Sequence, residues 1–139
     1  MLAAKCFAVL SVGLSVGCGA RSSPAPATRK PAATQHVRLG LASFYGAEFD
    51  GKVTASGVRF DMDAMVAAHP EYPFGTLVRV TRVETGRSVT VTIVDRGPAR
   101  GPRAEGVIID LSRAAAKALG FTREGRTRVR LEVLRWGGT

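Results

Sequence analysis

Four short runs in this sequence join turn-forming residues to side chains that can move protons or hold charge. They are Thr54-Ala55-Ser56-Gly57, Ala67-Ala68-His69, Val94-Asp95-Arg96-Gly97-Pro98 and Ile109-Asp110-Leu111-Ser112. Asp95 ends an apolar stretch and leads directly into Arg-Gly-Pro. A partly enclosed carboxyl there has a raised pKa and suits general acid work. The same residue can instead cap the turn that follows, leaving Arg96 as a surface charge. His69 and His36 are the only histidines, so no histidine metal cluster can be assembled and a metal site is not expected. A lone histidine is more often a structural hydrogen-bonding group than a catalyst. Asp110, just ahead of Ser112, is expected to serve the N-terminus of a following helix, where negative charge is favourable. Ser112 lacks the glycines of a nucleophile elbow and sits where a cap belongs, so it is not read as a hydrolase nucleophile.

These runs need strands to hold them. Leu39–Phe44 reads as a first strand. Residues 76–83 are rich in β-formers, with Val78 and Val80 alternating with polar neighbours. Ser88–Val94 alternates cleanly, with Val89, Val91 and Ile93 on one face. Joined by the turn Glu84-Thr85-Gly86-Arg87, these two form a hairpin. Val107–Ile109 reads as a short buried strand. In Thr127–Leu134, Val129, Leu131 and Val133 point inward and Arg128, Arg130 and Glu132 outward. One helix is clear: Ser112 caps it, Arg113–Leu119 is alanine-rich, and Gly120 stops it with Phe121 packing behind. Short strands with one helix point to a small closed barrel.

The beginning of the chain reads as an address. Met1–Lys5 carries one positive charge, and Cys6–Val16 is a run of apolar or small residues too short to span a bilayer. This is the pattern of a secretory signal peptide. Gly17-Cys18 resembles the lipobox of bacterial lipoproteins, with Leu14 one place earlier than usual and Ser15 in its place. The expectation is a signal over residues 1–17, lipidation at Cys18, a Ser/Pro/Ala-rich tether over 18–36 and one folded domain over 37–136. Lipid-blocked Cys18 and loss of Cys6 leave the domain without thiols. No aspartate follows Cys18, so the protein is expected on the periplasmic face of the outer membrane.

The 139 residues carry 20 basic and 11 acidic groups, a formal charge of +9. Four of the bases (Lys5, Arg21, Arg29 and Lys30) precede residue 37 with no acid among them, so the folded part holds 16 bases against 11 acids. That modest positive field favours acidic polymers. Export and the alternation of arginines onto solvent faces argue against nucleic acid as the partner. Length and composition also exclude a multidomain enzyme, a disulfide scaffold and a multi-span membrane protein.

Taken together, the runs resemble the RlpA (rare lipoprotein A) family. The resemblance is carried by Ala42-Ser43-Phe44-Tyr45-Gly46, Thr54-Ala55-Ser56-Gly57, Phe60-Asp61-Met62, Ala67-Ala68-His69, Phe74-Gly75-Thr76, Asp95-Arg96-Gly97-Pro98, Ile109-Asp110-Leu111-Ser112 and Ala114-Ala115-Ala116. It extends from Ala42 to Leu134. It implies a mainly β fold, a six-stranded double-psi β-barrel with one or two short helices, shared with expansins. It implies an endolytic peptidoglycan lytic transglycosylase that leaves 1,6-anhydro-muramic ends, acting in wall remodelling or daughter-cell separation. Glycan strands stripped of stem peptides are the expected partner, no cofactor is implied, and the protein is expected to be a monomer. Many members carry a C-terminal SPOR domain that directs them to the septum; here the last strand is followed by Trp136–Thr139, so septal targeting is not carried over.

The family's functional aspartate falls on Asp95 and its functional histidine on His69. Its functional glutamate falls on Val58, which cannot transfer a proton. Glu48 or Asp50, in the nearby loop, are the substitutes expected from proximity in sequence. Tyr45, Thr54 and Arg96 are expected to contact substrate, Arg96 through muramic carboxylates. Phe44, Phe49 and Trp136 can stack on sugars or belong to the core. The alternative is a non-catalytic, expansin-like peptidoglycan-binding barrel. Asp95 facing His69 in an open groove with Glu48 or Asp50 in reach marks the enzyme. Asp95 tied to backbone amides or to Arg96 marks the binder.

Overall fold

The computed structural model of the protein describes Gly13 and residues 36–138. The expected signal peptide, Cys18 and the tether lie outside the described residues, apart from Gly13 and His36. Six strands form the barrel: β1 (Val37–Phe44), β2 (Val66–Ala68), β3 (Leu77–Arg82), β4 (Ser88–Asp95), β5 (Val107–Leu111) and β6 (Thr127–Arg135). They close in the order β1-β5-β2-β4-β3-β6. β1/β5 and β2/β4 pair in parallel, and the other four ladders are antiparallel. The mainly β barrel expected from the sequence is therefore present. Two short helices accompany it, α1 (Arg100–Ala104) and α2 (Arg113–Leu119).

Period-2 alternation builds the core. Val78 and Val80 of β3, Val91 and Ile93 of β4, and Ile109, Leu111, Val129 and Leu131 make up the apolar interior. The expected β3–β4 hairpin forms, with Val78 opposite Val91. α2 closes the core with buried Ala115, Ala116 and Leu119. Its ends follow the sequence signals: Ser112 Oγ accepts from the Ala115 amide at 3.2 Å, and Gly120 turns left-handed at φ 79°, with Phe121 fully buried behind it.

Several expectations need correction. β1 begins at Val37, β5 runs on to Leu111, and both β2 and α1 were not anticipated. Glu132 lies on the outer face as expected, level with Val37 of β1 and Arg79 of β3. It is nevertheless only 7% exposed, and its pairing with Arg130 at 3.2 Å offsets part of the cost of that burial.

Candidate functional site

One break in strand register sets the geometry. In the β2–β4 ladder Ala67 pairs with Ile93, but Ala68 pairs with Asp95, so Val94 is an extra residue. Ile93 is a fully buried core residue. Side chains alternate along a strand, so in an unbulged strand Asp95, two residues beyond Ile93, would share its inward face. The bulge turns it out of the core beside Ala68 instead, a common use of bulges near active sites. Ala68 is also the register partner of Asp110 on β5, and Asp110 is in turn the partner of Ser43 on β1. Ser43, Asp110, Ala68 and Asp95 therefore form one rung across four strands.

Three donors converge on Asp95. Its Oδ1 accepts from the amides of Ala55 at 2.9 Å and Arg96 at 2.8 Å, and its Oδ2 accepts from the Tyr45 hydroxyl at 2.8 Å. The run Thr54-Ala55-Ser56-Gly57 supplies the first of these. It is a tight turn: Thr54 donates its amide and its hydroxyl to the Val58 carbonyl, at 2.8 and 2.9 Å, and the Ser56 amide reaches the Val94 carbonyl at 3.3 Å. Val58 itself is half exposed and contributes its backbone. Tyr45 is held as a neutral phenol, its pKa pushed up by burial and then by the bond to Asp95.

An open cleft of about 250 Å³ lies against Asp95, lined by Tyr45, Phe49, Lys52, Thr54 and Phe60 among others. The rings of Phe60 and Phe49 lie 4.5 and 5.2 Å from Tyr45, and Lys52 Nζ sits 5.1 Å from the Phe49 centroid. The exposed Phe49 ring beside a carboxylate and a cation suits a sugar that carries an acid group, with buried Phe60 backing Tyr45.

The remaining candidates are placed differently. His69 is fully buried, stacked on Tyr72 at 3.5 Å, and its Nδ1 accepts from the amides of Glu71 and Tyr72 at 3.1 and 3.0 Å. The proton of the neutral ring therefore sits on Nε2. Burial first, then the nearby Arg38 and Arg96, lower its pKa to about 3. Its link to Asp95 is through the backbone, the His69 amide donating to the Asp95 carbonyl at 3.2 Å. His69 orders the loop behind Asp95 and offers no proton at neutral pH.

Arg96 does not reach into the cleft. Its guanidinium donates to the carbonyls of Tyr72 at 2.8 Å and His69 at 3.3 Å and lies 3.9 Å above the Phe74 ring. Glu48 lies on the 3-10 turn Ala47–Phe49 and does not line the cleft. Asp50 accepts from the Met62 amide at 3.0 Å. Neither replaces the missing carboxylate: chain proximity placed them near the site, but the turn at Gly51 and the pairing of Val53 with Arg59 carry Asp50 to the Met62 loop. Phe44 packs on Phe121 at 5.7 Å, and Trp136 packs edge-on against His36 and Tyr72.

Asp110 is the residue that sequence reasoning misplaced. The cap of α2 is Ser112 alone. Asp110 accepts from the Ser43 hydroxyl through Oδ1. A Cβ on Gly97 would stand 3.2 Å from its Oδ2, 3.4 Å from the Ala68 methyl and 3.8 Å from the Tyr45 hydroxyl. Burial raises its pKa, and the Asp95 carboxylate adds to that, while Ser43 and Arg126 pull the other way.

Residues 37–131 match the family model described as lytic transglycolase. The chain is a member of the RlpA family of lytic transglycolases. It is 44% identical over 107 residues to the endolytic peptidoglycan transglycosylase RlpA of Neisseria meningitidis, covering 77% of this chain and 43% of the relative. It is 46% identical over 94 residues to the protein of the same name from Pseudomonas aeruginosa, covering 68% of this chain and 26% of the relative. The chain thus spans less than half the length of the curated relatives it matches. Among solved structures, the apo expansin of Clavibacter michiganensis superposes with a TM-score of 0.56 at 23% identity, over 74% of this chain and 52% of that one. The Streptomyces papain inhibitor gives 0.56 at 22% identity, over 71% and 94%. These two likenesses place this RlpA-family domain among double-psi β-barrels.

Proposed function

We propose that this protein is an endolytic lytic transglycosylase of peptidoglycan. The observation that carries the reading is the family match over residues 37–131, joined to an Asp95 that the β4 bulge turns out of the core and sets against an aromatic-lined cleft. The reaction passes through an oxocarbenium-like state, in which a fixed carboxylate stabilises charge at the anomeric carbon. The O6 hydroxyl of the muramic residue closes the 1,6-anhydro ring in place of water. Lys52 at the cleft rim favours the free lactyl carboxylates of strands without stem peptides. Export and lipidation at Cys18 bring the domain to the wall from a membrane surface, in support of wall remodelling or cell separation.

A second reading, a glycan-binding barrel without catalysis, is favoured by the side-chain arrangement that marks it: two backbone amides hold Asp95 Oδ1, the His69 ring bonds elsewhere, and neither Glu48 nor Asp50 lines the cleft. The two readings separate when the purified protein and its Asp95→Asn variant are incubated with intact and amidase-denuded peptidoglycan. Mass spectrometry then scores soluble 1,6-anhydro-muramic fragments. The enzyme releases them, preferentially from denuded strands, and the variant releases them at least about 100-fold more slowly. If neither protein releases them and both pellet with the glycan, the binder is the correct description.

A further inference from the structure

The rung that carries Asp95 carries a second carboxyl. Strands lie about 4.8 Å apart, so only β2, presenting the methyl of Ala68, separates Asp110 from Asp95. The two carboxyls differ in what surrounds them. Both oxygens of Asp95 are occupied by donors, two of them amides that cannot turn away. A proton on that carboxyl would have to displace one. On Asp110 only Oδ1 has a partner among the described residues, the Ser43 hydroxyl. Oδ2 faces Gly97 across a narrow gap: a Cβ there would stand 3.2 Å from Oδ2 and 3.8 Å from the Tyr45 hydroxyl, so the glycine keeps that oxygen uncovered. Asp110 is part-buried rather than closed off.

We propose that Asp110 is the proton-transfer residue of this site and that Asp95 is the fixed charge beside it. The inference rests on the transglycosylase reading and supplies the proton donor which that reading lacks once Val58 stands in the glutamate position. In the reaction, Asp110 Oδ2 gives its proton to the glycosidic oxygen as the C1–O bond breaks. The bonding pair leaves with that oxygen, which becomes a hydroxyl of the departing sugar. O6 then bonds to C1, and its proton passes to the Asp110 carboxylate, restoring the acid. No water or other reagent enters the balance. Burial keeps Asp110 protonated to higher pH than an exposed aspartate. The charged and titratable groups facing it are Asp95 and Tyr45 across the gap and Arg126 ahead of β6; Ser43 is its hydrogen-bond partner.

The test compares two substrates: denuded glycan, and a glycan oligomer whose muramic C1 carries 4-nitrophenol, a leaving group that departs without a proton. Asp110→Asn should slow release from glycan by about 10²–10⁴-fold, with a loss on the aryl substrate at least tenfold smaller. Asp95→Asn should slow both alike. Ser43→Ala should move the alkaline limb of the pH–rate profile to higher pH, because the Ser43 bond favours the charged form. Equal losses for Asp110→Asn on both substrates, or an alkaline limb unmoved by Ser43→Ala, overturn the inference while leaving the enzyme an enzyme. If the unmodified protein forms no anhydro product from either substrate, the transglycosylase reading falls and the inference falls with it.

Discussion

Acid should unfold this barrel through His69. The ring is neutral in the fold, with Nδ1 committed to two amide donors, and its pKa is lowered to about 3 from the ordinary 6.5. In the unfolded chain it titrates normally. Between those two values the unfolded state binds a proton that the folded state refuses, so stability is lost as pH falls from about 6.5 towards 3. Linkage puts the loss at about 2 kcal/mol by pH 5 and about 3 kcal/mol by pH 4, relative to pH 8. Against a domain stability of about 5–15 kcal/mol, that is a large share. Asp110 works in the opposite sense: its raised pKa adds stability at acid pH that is lost as pH rises through the folded value. Comparison with His69→Asn isolates the histidine, since the amide oxygen can accept the same two N–H bonds and cannot titrate. In urea at pH 8 the variant should be the less stable protein, having lost its stacking on Tyr72. From pH 8 to pH 5 the wild-type midpoint should fall by about 1–2 M more than the variant's. Equal falls would refute the buried neutral ring as the cause.

Further perturbations follow from the same contacts. Gly97→Ala should lower the thermal midpoint, because φ 156° disfavours any Cβ, and below that midpoint should abolish most glycan cleavage, because the added methyl crowds Asp110 Oδ2; unchanged turnover would show that no reacting atom passes there. Arg82 is 7% exposed and donates to the carbonyls of Leu119 and Gly120 at 3.3 and 2.7 Å, closing the C-terminus of α2. It also pairs with Glu84 at 2.9 Å and Glu124 at 3.8 Å, so Arg82→Met should cost about 2 kcal/mol in chemical unfolding, the smaller part of it screened by salt. Ser112→Ala removes both the cap on Ala115 and a 2.6 Å bond to the Ala64 carbonyl, and should cost about 1–2 kcal/mol by the same measurement.

The parts of this fold that were legible in the sequence are the parts decided locally. The β3–β4 hairpin follows from alternating valines around a Gly-containing turn, and α2 from a serine cap, an alanine run and a stopping glycine. β2 is three residues of small side chains, Val66–Ala68, and carries no period to read. α1 contains both Gly101 and Pro102, residues that ordinarily argue against a helix. The site divides in the same way. Asp95, Tyr45 and the Thr54 run were marked by their types and neighbours. The placement of Asp110 was not, because it depends on pairing with Ser43 and Ala68, residues far away in the chain. A local rule about helix ends assigned it to α2, and strand pairing overruled that rule. His69 was singled out by type and family position, but only packing reveals that its ring is closed to chemistry.

The bulge at Val94 makes the site sensitive to strand register rather than composition. A strand that ran straight through Val94 would preserve every functional side chain and still put Asp95 on the inward face of Ile93. A homologue that paired its strands in that way would retain the whole motif and be inert, and an alignment scored by identity would not reveal it. For this barrel the slip in pairing between Ile93 and Asp95 is as much a part of the site as the aspartate itself.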